Sequence, residues 1–141
     1  MTEPATKGGR LPRLRSAVDE SLGKPFVWGA RGPGSFYCLG LYLALLERVE
    51  GIKLPDPFVR EEEEGLRGFW DRFLKLASLG DLAPLDVLFW RWGDGRAHVA
   101  IVEDRRWAVS TTPVTGVYRM PLEVACARAE AAYRLKELVG R

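Results

Sequence analysis

The sequence predicts an α+β domain in which a helical first half packs on an antiparallel sheet formed by the second half. Apolar residues recur at helical spacing over much of residues 11–80. After Asp86 the pattern changes to short runs rich in Val, Ile, Trp and Tyr, separated by turn signals. A glycine-rich stretch gives way to helix periodicity just at Cys38, which marks the centre of the predicted fold.

The composition is that of an ordinary globular domain, with 47% hydrophobic and 28% charged residues. We expect one domain over residues 1–141, with residues 1–9 frayed. Basic and acidic residues are balanced and well mixed, so we expect no nucleic-acid partner. Membrane insertion is not expected either, because no apolar run approaches the roughly 20 residues that a spanning helix needs. With a single histidine in the chain, we expect no multi-histidine metal site and no cofactor.

Three helices are predicted in the first half. The first covers residues 11–22, and the second runs from Cys38 to about Glu50, where Gly51 stops it. A run of four glutamates at residues 61–64 favours the start of a third helix, which ends at Gly80. Its apolar stripe, rich in aromatic residues, consists of Leu66, Phe69, Trp70, Phe73, Leu74 and Leu76.

The second half predicts an antiparallel meander followed by a terminal helix. The predicted strands are residues 86–92, 97–103, 106–110 and 116–120. The alanine-rich segment 122–139 then predicts a C-terminal helix that contains Cys126 as a core or half-buried residue.

Cys38 is the first candidate for chemistry. The free N–H groups and the positive dipole end of a helix stabilise an anion, so a cysteine at a helix start is expected to have a lowered pKa. The same N–H groups could hold the oxyanion of an acyl-transfer intermediate. The alternative is that Cys38 is simply a small apolar core residue, as most free cysteines are.

His98 opens a predicted strand and is the second candidate. A thiol on a helix start, a histidine on a sheet and a polar residue on the next strand form the nucleophile, base and orienting group of a cysteine hydrolase. Alone, His98 could equally be a satisfied structural histidine.

Two stretches resemble the NlpC/P60 family of cell-wall peptidases. KPFVWGARGPGSFYCLGL (residues 24–41) is similar to the family's Pro-Tyr-x-Trp-Gly-Gly turn followed by Phe-Asp-Cys-Ser-Gly-Leu. LAPLDVLFWRWGDGRAHVAIVED (residues 82–104) is similar to its Pro-Gly-Asp-Leu-Val-Phe-Phe strand and His-Val-Gly-Ile. The resemblance implies a papain-like fold and hydrolysis of cell-wall peptide, with Cys38 as nucleophile and His98 as base. It places the third polar residue at Ser110, or at Thr111 or Thr112 if the register differs.

The chain departs from the family pattern at three positions. Phe26 stands where the family has a tyrosine whose hydroxyl faces the catalytic pair, and Tyr37 replaces the aspartate before the cysteine. Ser110 stands where His, Asn or Gln is usual and reaches less far toward an imidazole. An alternative function is therefore a structural or adaptor protein with the same fold and weak or lost catalysis.

Weaker motifs resemble the short phage-tail members of the family. They are CLGL, the LPDP segment at residues 54–57, and GVYRMPLEV followed by AAYRL. This likeness implies a position at the virion tail tip among other tail proteins. If the chain is not phage-encoded we expect it in the cytoplasm, since residues 1–10 lack a signal core.

Two further expectations come from composition and aromatic content. Candidates for lining a substrate groove are Trp28, Arg31, Trp70 and Trp92, although tryptophans in such positions belong more often to the core. The chain has no Asn and no Gln, and depletion of such thermolabile residues predicts a hot-environment source.

Overall fold

The computed structural model describes residues 9–55 and 68–140. The helices that lie wholly within these residues are α1 (Arg10–Ser21), α2 (Cys38–Glu50) and α3 (Leu122–Arg128), and a 3₁₀ turn covers Lys136–Leu138. The strands are β1 (Phe73–Lys75), β2 (Val87–Arg91), β3 (Ala97–Val102), β4 (Trp107–Thr112), β5 (Gly116–Pro121) and β6 (Ala131–Leu135). None of the helices in these ranges has the length and apolarity needed to cross a membrane. The glutamate run at 61–64 and residues 1–8 of the predicted frayed end lie outside the described residues.

The six strands form one sheet in the order β1-β6-β2-β3-β4-β5, with every neighbouring pair antiparallel. Strands β2 to β5 form the predicted meander. The predicted α1 and α2 are also confirmed, and α2 ends at Gly51, which adopts a left-handed conformation at φ 71°. The α+β class is therefore confirmed.

The sheet has a core on each face. On one face, α1 and α2 bury Leu14, Val18, Leu41 and Leu45 against Val99 and other sheet residues. The opposite face buries a second cluster (Leu88, Trp90, Ala100, Val102, Ala108, Met120, Ala125 and Ala132), to which α3 contributes. Burying a Leu or Val side chain fully stabilises a fold by about 1.5–3 kcal/mol relative to exposure, so α2 is held firmly on the sheet.

The prediction of a third helix up to Gly80 is wrong in its second part. Residues 68–70 are helical, but Phe73–Lys75 forms β1, which pairs with β6. The aromatic stripe is buried as a cluster rather than along a helix: Phe73 lies between Tyr42 and Phe69, with ring centroids 5.9 and 5.2 Å apart. Packing of Phe73 and the ladder with β6 therefore override the helical spacing of the sequence.

The prediction of one helix over residues 122–139 is also wrong. The observed helix ends at Arg128. Strand β6 follows and lies between β1 and β2, and its backbone pairs with both. Ala132 and Leu135 are buried, and Arg134 forms two hydrogen bonds of 2.9 and 2.7 Å with the buried carboxylate of Asp86. These tertiary contacts override the high helix propensity of the alanines.

Candidate active site

The glycine-rich loop fixes the start of α2. The Tyr37 N–H donates to the Ala30 carbonyl at 3.0 Å, immediately before Cys38 begins the helix. A Cβ atom at Gly40 would lie 2.0 Å from that same carbonyl oxygen, so a side chain there would push the loop away. Gly40, two residues after the cysteine, therefore allows the loop to pack on the first turn of α2.

The Cys38 thiol is nearly buried, with 7% of the residue exposed. Burial raises the pKa of the thiol, and hydrogen bonds from the backbone N–H groups of Val99, Leu39 and Cys38 itself only partly offset it. The expectation of a lowered pKa at a helix start is therefore wrong for the free protein. The helix N–H groups are directed at the sulfur, as expected, but desolvation is the larger effect.

His98 lies at the start of β3 and contacts Ser110 on β4. The Ser110 hydroxyl donates to the Val99 carbonyl at 2.9 Å, and its oxygen lies 2.7 Å from His98 Nε2. The hydroxyl has one hydrogen, so both bonds form at once only in the tautomer in which Nε2 carries the proton and Nδ1 keeps a free lone pair. Thr111 and Thr112 do not take this place: Thr112 Oγ1 bonds Thr115 Oγ1 at 2.7 Å.

The imidazole is enclosed by aromatic rings. Its centroid lies 5.0 Å from that of Trp90 and 4.8 Å from that of Trp92, and 4% of the residue is exposed. Burial, with a smaller contribution from the charge of Arg128, lowers the pKa of His98 to about 4. His98 is therefore a neutral base at neutral pH.

Cys38 and His98 line two cavities together. The smaller cavity, of about 200 Å³, is also lined by Phe26, Trp28, Trp92, Asp94, Arg96, Ala97, Thr111, Thr112 and Pro113. The larger one, of about 500 Å³, is lined by Leu39, Trp70, Asp71, Phe89, Arg91, Ala97, Val99 and Tyr133. The thiol and the imidazole thus border both cavities, an arrangement that suits an extended ligand lying across the two.

Three of the four predicted groove residues line these cavities. Trp28, 53% exposed, and Trp92 line the smaller cavity, and Trp70 lines the larger one. Arg31 instead lines a separate cavity of about 870 Å³ beside α1 and α2. Sequence reasoning missed Tyr133, because the segment containing it was predicted to be helical and only the position of β6 brings it to the cleft.

The domain thus combines an α+β fold with a thiol at a helix start and an imidazole on the adjoining sheet, and a serine hydroxyl holds that imidazole. No protein-family model matches the chain. A curated relative, the probable endopeptidase p60 of Listeria grayi, is 31% identical over 88 residues, which are 62% of this chain and 15% of that protein. The chain therefore spans only a small part of this relative.

Solved structures match over most of the chain. The NlpC/p60 domain of the peptidoglycan hydrolase SagA is 19% identical, with a TM-score of 0.61 over 89% of this chain and 98% of that one. NlpC2 from Trichomonas vaginalis is 17% identical, with a TM-score of 0.68 over 90% and 47% of the two chains. An NlpC/P60 family protein from Bacillus cereus is 20% identical, with a TM-score of 0.66 over 89% and 40%. The chain has the NlpC/P60 fold, and the predicted resemblance to this family is confirmed.

Proposed function

We propose that this protein is a cysteine peptidase that hydrolyses peptide bonds in the stem peptides of bacterial cell-wall peptidoglycan. The observation that carries the proposal is the placement of Cys38 and His98 in one cleft, with Ser110 bonded to the far nitrogen of the imidazole. The names of a similar endopeptidase and of a peptidoglycan hydrolase with the same fold support it.

In the proposed acylation step, His98 Nδ1 takes the thiol proton of Cys38 while the sulfur attacks the peptide carbonyl carbon. The backbone N–H of Cys38 and a neighbouring donor stabilise the resulting oxyanion. Collapse of this intermediate breaks the C–N bond, and the leaving amine takes the proton from Nδ1. The product is a thioester on Cys38.

In the proposed deacylation step, water attacks the thioester and His98 Nδ1 takes a proton from it. The C–S bond breaks, the sulfur recovers the proton, and the carboxylic acid leaves. Ser110 orients the imidazole in both steps and stabilises the imidazolium, because its oxygen accepts the Nε2–H bond in either charge state. Burial raises the pKa of Cys38 and lowers the pKa of His98, so the thiol and the imidazole are both neutral before substrate binds. In the proposed step, proton transfer therefore accompanies the attack of the sulfur rather than preceding it.

A position at a phage tail tip is the finer part of this proposal. Its support is the likeness of CLGL, GVYRMPLEV and AAYRL to short tail members of the family. Such a position would place the hydrolase against the cell wall, with other tail proteins as partners. Detection of the chain in purified virus particles would support it, and its absence from them would exclude it.

A structural or adaptor role is the second candidate. The buried, uncharged state of Cys38 and His98 and the missing hydroxyl at Phe26 favour it over an efficient enzyme. This candidate predicts a folded protein that releases no peptide.

The test is digestion of purified peptidoglycan by the wild-type protein and by Cys38→Ala. We expect the wild type to release stem-peptide fragments, measured by liquid chromatography and mass spectrometry, and the variant to release none. Cys126→Ala is the matched control: it removes the chain's other thiol, which lines neither cavity beside Cys38, and release should continue. Equal release by wild type and Cys38→Ala would refute the nucleophile, and no release by the folded wild type would favour the adaptor.

A further inference from the structure

The hydroxyl of Thr111 is buried and has no hydrogen-bond partner. Within residues 9–55 and 68–140, three buried side-chain polar atoms are in this state: Tyr42 OH, Trp90 Nε1 and Thr111 Oγ1. Tyr42 and Trp90 line neither cavity beside Cys38, whereas Thr111 lines the smaller one. A buried hydroxyl without a partner costs about 1–3 kcal/mol, and at this place a ligand in the cavity could supply the missing bond.

Side chains alternate along β4, so Ser110 and Thr111 lie on opposite faces of the sheet. Ser110 lies on the face that carries Ala108, in the second core. Thr111 follows on the opposite face with Val109, which belongs to the core beneath α2. Thr111 therefore lies on the side of the sheet whose core includes Cys38. None of its surface is exposed in the free protein, so the side chains that cover its hydroxyl must move before a ligand can reach it.

Apart from Cys38, His98 and Thr111, no described residue around the smaller cavity offers a buried polar side chain. Phe26 has no donor, and Trp28 and Trp92 present large apolar rings. The side chains of Asp94 and Arg96 form an ion pair with each other at 3.3 Å. A peptide that enters this cavity would bring backbone N–H and C=O groups, which must find partners when they lose water.

We propose that Thr111 Oγ1 is a substrate-binding group that hydrogen-bonds the peptide backbone of the residue held in the smaller cavity, next to the scissile bond. This inference rests on the proposed peptidase function and names a specificity-determining residue of the same cleft. The hydroxyl can donate to a carbonyl oxygen and accept from an amide. It supplies a polar contact in a cavity where Phe26 supplies none.

The test compares Thr111→Val, which keeps the shape and removes the hydroxyl, with Thr111→Ser, which keeps the hydroxyl. With a synthetic stem peptide as substrate, we expect kcat/KM to fall about tenfold or more in Thr111→Val, because the peptide group loses its buried partner. Thr111→Ser should stay within about threefold of the wild type. Because the hydroxyl has no partner in the free protein, Thr111→Val should melt no lower than the wild type.

Binding provides a readout that does not need turnover. Isothermal titration of the same peptide into Cys38→Ala and into the Cys38→Ala/Thr111→Val double variant should show binding at least about tenfold weaker for the double variant. If Thr111→Val matches the wild type in both assays, the Thr111 inference is wrong although the peptidase proposal stands. An equal loss in Thr111→Ser, or a lowered melting temperature of Thr111→Val, would show a structural role and also overturn it. A peptide that is neither bound nor cleaved by the wild type overturns both proposals.

Discussion

Ser110 and Thr111 are neighbours on one strand, yet their hydroxyls are in opposite states. Both residues are completely buried. The Ser110 hydroxyl has two hydrogen bonds within the protein, to His98 and to the Val99 carbonyl. The Thr111 hydroxyl has none within the described residues. The Ser110 hydroxyl is thus satisfied in the free protein, whereas we propose that the Thr111 hydroxyl gains its partner from a bound substrate.

The two hydroxyls differ in the role that they can play: one holds a catalytic group in place, and the other is available to a ligand. A network whose members are all satisfied holds a catalytic group in one geometry before substrate arrives. An unsatisfied group raises the free energy of the empty site and is relieved only by a ligand with a matching polar atom.

The largest effect should be seen in the pH dependence of stability, because burial on the Ser110 face lowers the pKa of His98 from 6.5 to about 4. Between these values the unfolded chain binds a proton that the folded protein does not, so stability should fall as pH falls from about 6.5 to about 4. The contribution is on the order of 3 kcal/mol, present above pH 6.5 and lost near pH 4. Urea unfolding across this range would measure it.

His98→Gln is the matched control for this titration, since His98 is the chain's single histidine and glutamine can still donate to Ser110. The variant should show a shallower fall of stability over the same pH range. Identical slopes for the two proteins would mean that the imidazole is not held neutral by burial.

The next effect compares the two hydroxyls directly. Ser110→Ala removes the hydrogen bonds of the hydroxyl to His98 Nε2–H and to the Val99 carbonyl. We therefore expect the free energy of unfolding to fall by about 1–3 kcal/mol. The kcat/KM on stem peptide should fall about 10- to 100-fold, because the imidazole loses its orienting group. Thr111→Val should leave stability unchanged or slightly raised. Equal destabilisation by the two substitutions would remove the difference between the faces.

Much of the fold could be predicted because its signals are local. The helical spacing of α1 and α2, the stop at Gly51 and the turns between β2 and β5 all appear in short windows of sequence. β1 and β6 could not be predicted in the same way. Their pairing joins segments about 60 residues apart, and the stabilising contacts of Phe73 and Arg134 exist only in the folded protein.

The candidate site divides in the same manner. The motifs identified Cys38, His98 and Ser110 as a group, and the structure brings His98 and Ser110 into contact and places Cys38 and His98 in one cleft. The ionisation state could not be predicted, because the helix start that favours a thiolate is visible in the sequence and the burial that opposes it is not. The missing partner of Thr111 is likewise a property of packing.

In the proposed mechanism, His98 is a neutral base whose Nε2–H is held by Ser110, which leaves Nδ1 for the thiol of Cys38. Imidazole ¹⁵N chemical shifts test it most directly, since a single histidine gives one unambiguous pair of signals. At pH 7 we predict a protonated Nε2 and an unprotonated Nδ1, with the Nε2 signal changed in Ser110→Ala. A doubly protonated ring at pH 7, or a proton on Nδ1 alone, would contradict the account.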